Sequence, residues 1–237
     1  MKPYETALSR AQTLYRIPTA PTRNRVLELC VCREPLLLDY PWPGESKICC
    51  MLGAGAASGS NPALQYADFQ KPLPYAAYDF DVMVLHQSLD DLIVAARQAD
   101  VAFDPKQFLT SLLPHLAPGG LIAGCLSNRS SPKLAWRRLA RRGEAAAAHF
   151  TLRGCRDLLL ASGLSDVRVF TLLPNCAAPL KLVDIDPSVA KLVFRHELQA
   201  CRPELRLPSY LIRRAAVELG LYPHLEESIF FFGYKPC

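Results

Sequence analysis

The sequence predicts an α/β fold, a mostly parallel sheet flanked by helices. Three observations lead there. Val82–Leu85 is an apolar run without polar alternation, the pattern of a strand buried on both faces. A polar turn, His86–Asp91, follows, and then a long, mostly apolar segment ending LLPHLAPGG, where Pro118-Gly119-Gly120 is expected to stop a helix. Leu121–Leu126 is a second buried run, and strand, helix and strand in this order make a βαβ unit.

With 237 residues, half of them hydrophobic, one large domain spanning 1–237 is expected. No stretch of about 20 apolar residues exists, so no membrane span is expected. The first residues lack an apolar h-region, which argues against a secretory signal and for a cytoplasmic protein. Nine cysteines scattered through apolar runs suit core thiols in a reducing compartment. A net charge of +5 is too small to imply nucleic-acid binding without clustering.

Residues 1–25 should hold an amphipathic helix and a Pro/Thr/Arg linker, with Leu8, Ala11, Leu14 and Tyr15 on one helix face. Val26–Leu29 and Lys47–Leu52 are the first two strands. Between them, Pro41, Pro43 and Gly44 leave room for a short helical turn at most. GAGAASGS (Gly53–Ser60) invites a dinucleotide fingerprint, but Asn61-Pro62 breaks any helix at once, so a loop is the better reading. Asp90 and Asp91 suit the N-terminal cap of the helix after the buried run. Thr151–Gly163 is a helix and Asp166–Leu173 a strand. Residues 175–227 form a helical insertion, with helices at Pro187–Cys201 and Ser209–Leu221, Ser209 being a possible cap. Ile229–Lys235 is the last strand, and His224, Glu226 and Glu227 before it suit a surface turn better than an acid/base or metal cluster. Cys30, Cys32, Cys49 and Cys50 approach one another if the first strands pair, but neighbours on a strand point to opposite faces and cannot readily share one zinc site.

FDVMVLHQSLDDL (Phe80–Leu92), followed by LLPHLAPGGLIAG, resembles the fourth and fifth strands of the class I S-adenosylmethionine-dependent methyltransferases. Asp68-Phe69 with Leu73-Pro74, and FTLRGCRDLLLASGLSDVRVFTLLP (Phe150–Pro174), resemble that family's flanking signatures. The resemblance covers about Val26 to Pro174. It implies a Rossmann-like sheet whose last strand is antiparallel, an insertion that covers the substrate pocket, and S-adenosylmethionine as cofactor. Glu28 and Cys30 match the strand end and turn that face the cofactor. Asp68 and Phe69 match the residues that contact adenine; Asp68 can equally cap a turn before Pro72. His86 and Gln87 fall where pocket residues sit, with His86 a candidate general base or a hydrogen-bonding pocket residue. The chain departs from the family at two places. No glycine lies between Val26 and Tyr40, and no acid ends the second strand near Met51–Gly53 to hold a ribose.

Five cations fall within Lys133–Arg142. Arg137, Arg138, Arg141 and Arg142 recur at three- and four-residue spacing and can share one helix side. They suit an anionic substrate, peripheral contact with an anionic membrane, or a solvated face. Two functions remain. One is methyl transfer to a small or medium, anionic substrate, including lipid- or glycan-type molecules, which requires alignment more than a catalytic triad. The other is a non-catalytic methyltransferase-like chain serving as structural or regulatory partner of another protein.

Overall fold

The computed structural model describes residues 25–31, 35–37, 46–53, 64–132, 134–135, 149–173, 175, 177, 179–200 and 207–237. Among the described residues eight strands form one sheet: β1 (Arg25–Cys30), β2 (Ser46–Gly53), β3 (Leu64–Asp68), β4 (Phe80–His86), β5 (Leu116–Ser127), β6 (Ser165–Leu173), β7 (Lys181–Asp184) and β8 (Ser228–Tyr234). Their spatial order is β3-β2-β1-β4-β5-β8-β6-β7. The first five pair in parallel, while β8 runs antiparallel to both neighbours and β7 antiparallel to β6. The helices are α1 (Ser88–Gln98), α2 (Pro105–Leu112), α3 (Leu152–Ala161), α4 (Pro187–Ala200), α5 (Leu207–Glu218) and the single turn α6 (Tyr222–Leu225).

Both sheet faces are apolar, which is why β4 reads as a continuous run rather than an alternation. On one face Leu27, Leu29, Met83, Leu85, Ile122 and Phe231 bury against α1, α2 and α3. On the other, Val26, Val82, Val84, Ala123 and Phe230 surround Leu37. Strands β4, β5 and β8 approach so closely at Gly124 that a Cβ there would lie 2.7 Å from the Leu85 carbonyl oxygen and collide with the Phe231 ring. Hence glycine is required at that point of the sheet. No helix among the described residues is long and apolar enough to cross a membrane.

Several expectations are corrected. The helix before β5 ends at Leu112, where a 3-10 turn containing Pro114 takes over, and not at Pro118-Gly119-Gly120. Those three residues lie inside β5. Phe80 pairs with Leu116 and Val82 with Leu121, so the strand absorbs them as a bulge, with Gly119 at φ 66°. The second helix starts two residues ahead of Ser209, which therefore lies inside α5 and does not cap it. The insertion is not purely helical, because β7 joins the sheet edge beside β6. Its apolar residues Leu182 and Val183 were too few to signal a strand against the helical pattern around them. β3 escapes the sequence for a similar reason: of LQYAD only Ala67 is buried.

Candidate functional site

Strand order creates a topological switch between β1 and β4, since β2 and β3 extend on one side of β1 and β5 on the far side of β4. Open α/β sheets bind ligands outside the carboxyl ends of their strands at such a point. Cys30, Gly53, Asp68, His86 and Ser127 end the five parallel strands and define that rim.

Glu28 lies just below the rim and is 1% exposed. Its two carboxylate oxygens each accept a backbone N–H, from Leu36 and Leu37, both at 2.7 Å. The Cys49 thiol donates to the same carboxylate at 3.7 Å. Burial pushes the Glu28 pKa up to about 7, against the opposing pull of these donors and of Lys47. One carboxylate thus fastens the turn after β1 to the sheet and draws Leu37 into the core. Cys30 donates its thiol to the Cys50 carbonyl at 3.3 Å. Because β2 flanks β1 on the side away from β4, this thiol is turned from the switch point. Burial raises its pKa, and nearby Glu28, Cys49 and Cys50 add to the rise, so it is not a reactive thiolate.

His86 and Gln87, both half-buried, close β4. Gln87 adopts the left-handed conformation at φ 59° and donates its N–H to the Cys125 carbonyl at 2.9 Å. It also occupies the N-cap of α1 without a side-chain capping bond. The buried Ser88 hydroxyl donates to the Leu29 carbonyl, joining the start of α1 to β1 across the switch. The expected Asp90/Asp91 cap does not form. Asp90 is instead buried, and its Oδ2 accepts the Ser127 N–H at 2.6 Å, tying α1 to the end of β5. Burial pushes its pKa up to about 7, opposed by hydrogen bonds from Ser127 and the His149 backbone.

Asp68 pairs in register with Gly53 at the ends of β3 and β2. Its Oδ1 accepts the Gln70 N–H at 3.0 Å, an Asx turn, while Oδ2 lies 3.6 Å from the Nζ of Lys71, which is 73% exposed. Phe69 donates its N–H to the Gly53 carbonyl at 3.1 Å and packs edge-on against Phe103, ring centroids 5.9 Å apart.

At the end of β5, Asn128 is fully buried. Its amide nitrogen donates to the carbonyls of His224 (3.1 Å) and Glu226 (2.8 Å), and its amide oxygen accepts the Ser130 N–H at 3.1 Å. Ser131 adds a hydroxyl bond to the Leu225 carbonyl at 2.9 Å. These bonds pull the turn before β8 inward, so Glu226 and Glu227 are buried, contrary to the expected surface turn, while His224 stays exposed.

His86 and Gln87 therefore stand at the β4 side of the switch, with Glu28 below the rim on β1 and the Cys30 thiol turned away toward β2. Asp68 and Phe69 stand on the same rim beyond β2. Arg137, Arg138, Arg141 and Arg142 lie outside the described residues, as do the expected N-terminal helix and Ala54–Ser60. Among the described residues no group of three or more His, Cys, Asp or Glu could hold a metal ion. Sequence reasoning missed Ser88 and Asn128. The available signal was a small polar residue directly after an apolar run, where a strand end has unpaired carbonyls to satisfy.

No family model matches this sequence, and no curated protein matches it. Solved structures do match its fold. A SAM-dependent methyltransferase from Archaeoglobus fulgidus aligns with a TM-score of 0.57 and 11% identity, over 96% of this chain and 93% of that one. One from Thermotoga maritima gives 0.55 and 12%, over 98% and 89%. Phosphoethanolamine N-methyltransferase 2 from Haemonchus contortus, in complex with S-adenosyl-L-methionine, gives 0.53 and 12%, over 97% of this chain and 53% of the longer protein. The chain has the fold of the class I S-adenosylmethionine-dependent methyltransferases.

Proposed function

We propose that this chain transfers a methyl group from S-adenosylmethionine to a small or medium, anionic acceptor. The observation that carries the reading is the rim itself, where the strand ends bear Asp68 and Phe69 on one side of β1, and His86 and Gln87 on the other, across the switch between β1 and β4. From β3 to β4 is three strand spacings, about 14 Å, room for an extended nucleoside joined to an amino acid. The residues present fit the nucleoside end. Asp68 supplies a carboxylate, the group to which an exocyclic amine would donate. Phe69 is the apolar residue beside it. Cys30 replaces a glycine, but its side chain is turned toward β2, which keeps it off the switch. Bound there, the cofactor supplies an electrophilic methyl group. Gln87 and Ser88 shape the β4 side, and we assign His86 to take a proton from the acceptor.

A second reading has its own support. Glu28 and Cys30 are satisfied by the chain's own backbone, so the turn after β1 is held without a ligand, and Gly53 offers no carboxylate to a ribose. This suits a non-catalytic chain that partners another protein.

Calorimetric titration with S-adenosylmethionine, and then S-adenosylhomocysteine, separates the two. The first reading expects micromolar affinity that weakens at least tenfold in Asp68→Ala. No binding of either up to about 1 mM, weaker than about −4 kcal/mol, sinks it in favour of the second.

A further inference from the structure

A second cleft of about 610 Å³ opens between α3 and α6, on the carboxyl side of β5. That size is ordinary for a small-molecule site. Leu160, Ile185 and Pro223 supply its apolar wall, and Leu160 is 47% exposed there. Arg153, Arg156, Asp157 and His224 supply its polar lining. Arg153 is loosely paired with Asp157 at 3.7 Å, both well exposed. Among the described residues, Arg156 and His224 have no side-chain partner.

Arg153 lies in the first turn of α3, where the helix's own dipole is positive and no acid lies, and Arg156 follows it in the next turn. Cations are disfavoured at that end of a helix. An anion in the cleft would relieve the repulsion and meet guanidinium groups suited to phosphate and carboxylate oxygens. The cleft is also fixed to the rim. Asn128, directly after β5, holds the His224 carbonyl, and its bridge partner Phe150 leads directly into α3.

We propose that this cleft binds a phosphate or carboxylate carried on an apolar group, with Arg156 and His224 gripping the anion and Leu160 and Ile185 the apolar part. Its role as the acceptor's anchoring site rests on the methyl-transfer reading; its binding activity does not.

The test is calorimetric titration of the full chain with hexyl phosphate, hexanoate, inorganic phosphate and hexanol. Hexyl phosphate and hexanoate should bind, inorganic phosphate more weakly, and hexanol not measurably. Arg156→Gln and His224→Gln should each weaken hexyl phosphate binding about fivefold or more with unchanged circular dichroism. Arg97→Gln on α1, remote from the cleft, should leave it unchanged. Co-sedimentation with phosphatidic acid vesicles identifies the source of the anion, since Arg156-dependent capture means a bilayer headgroup and its absence a soluble ligand. Hexanol binding as tightly as hexyl phosphate, no binding of hexyl phosphate up to about 10 mM, or equal affinity in both variants overturns the proposal. Binding of hexyl phosphate without binding of S-adenosylmethionine keeps the cleft and removes methyl transfer. The reverse result keeps methyl transfer and removes the cleft.

Discussion

The β1 end and the β5 end of the rim solve the same problem with different chemistry. Each has a returning segment whose backbone groups must be paired below the surface. At β1 those groups are the Leu36 and Leu37 N–H donors, and an ionisable carboxylate, Glu28, accepts both. At β5 they are the His224 and Glu226 carbonyls, and a neutral amide, Asn128, donates to both. A buried amide costs little once its hydrogen bonds are made, whereas a buried carboxylate must also bear the loss of its hydration. So the two anchors differ in pH response. Glu28 titrates near neutrality, while Asn128 does not titrate at all.

Exchanging the two chemistries is the most severe way to break this comparison. Asn128→Asp would set a carboxylate against two carbonyl oxygens with no donor between them. We expect a loss of about 3–5 kcal/mol at neutral pH, read from urea denaturation. A loss under about 1 kcal/mol would mean that the turn before β8 is not held by Asn128.

The converse exchange, Glu28→Gln, sharpens it. The folded pKa of Glu28 is raised from 4.5 to about 7, so between those values the folded state binds more protons than the unfolded state. Stability attributable to this group therefore falls as pH rises through that window, by about 3 kcal/mol in total. Relative to the natural chain, Glu28→Gln should gain stability progressively from about pH 4.5 to pH 7 and then level off. Asp90, also raised to about 7, is present in both proteins and cancels from the difference. Parallel stability profiles for the two proteins would show that Glu28 stays charged in the fold.

The smallest effect concerns the strand between the two anchors. Gln87 sits at φ 59°, a conformation that strains a residue with a Cβ. Gln87→Gly should raise the urea midpoint by an amount equivalent to about 1 kcal/mol. A fall would show that the Gln87 side chain stabilises the rim by more than the strain it bears.

The central fold was legible because β2, β4 and β5 leave apolar runs in the sequence and β1 leaves one interrupted only by Glu28, as strands buried on both faces do. What escaped was written in weaker signals. β3 and β7 are short and half-exposed at the sheet edges, where hydrophobic content stops discriminating. The Pro118-Gly119-Gly120 run was read as a stop and is a bulge, because proline and glycine mark a backbone departure without saying which kind. Of the site, the strand-end positions were legible, but not the directions of their side chains. Nothing local in Cys30 shows that its thiol turns toward β2. Nor could Asp90 be placed beside Ser127, since the two meet only when α1 packs over β5. Asn128 and its distant turn, like the cleft of Arg156 and His224, exist only after residues far apart in the chain come together.

The position of β8 has a consequence for how the molecule assembles during synthesis. Of the strands of this sheet it comes last in chain order, yet it lies inside the sheet, between β5 and β6. Until it emerges from the ribosome, β5 presents a long apolar edge, and β6, β7 and the helices beyond them have no sheet to join. Unpaired edges of this kind invite pairing with other chains. Between the synthesis of β6 and that of β8 the nascent protein must therefore hold two unfinished halves apart. The arrival of Ser228–Tyr234, rich in phenylalanine, closes both edges in one step.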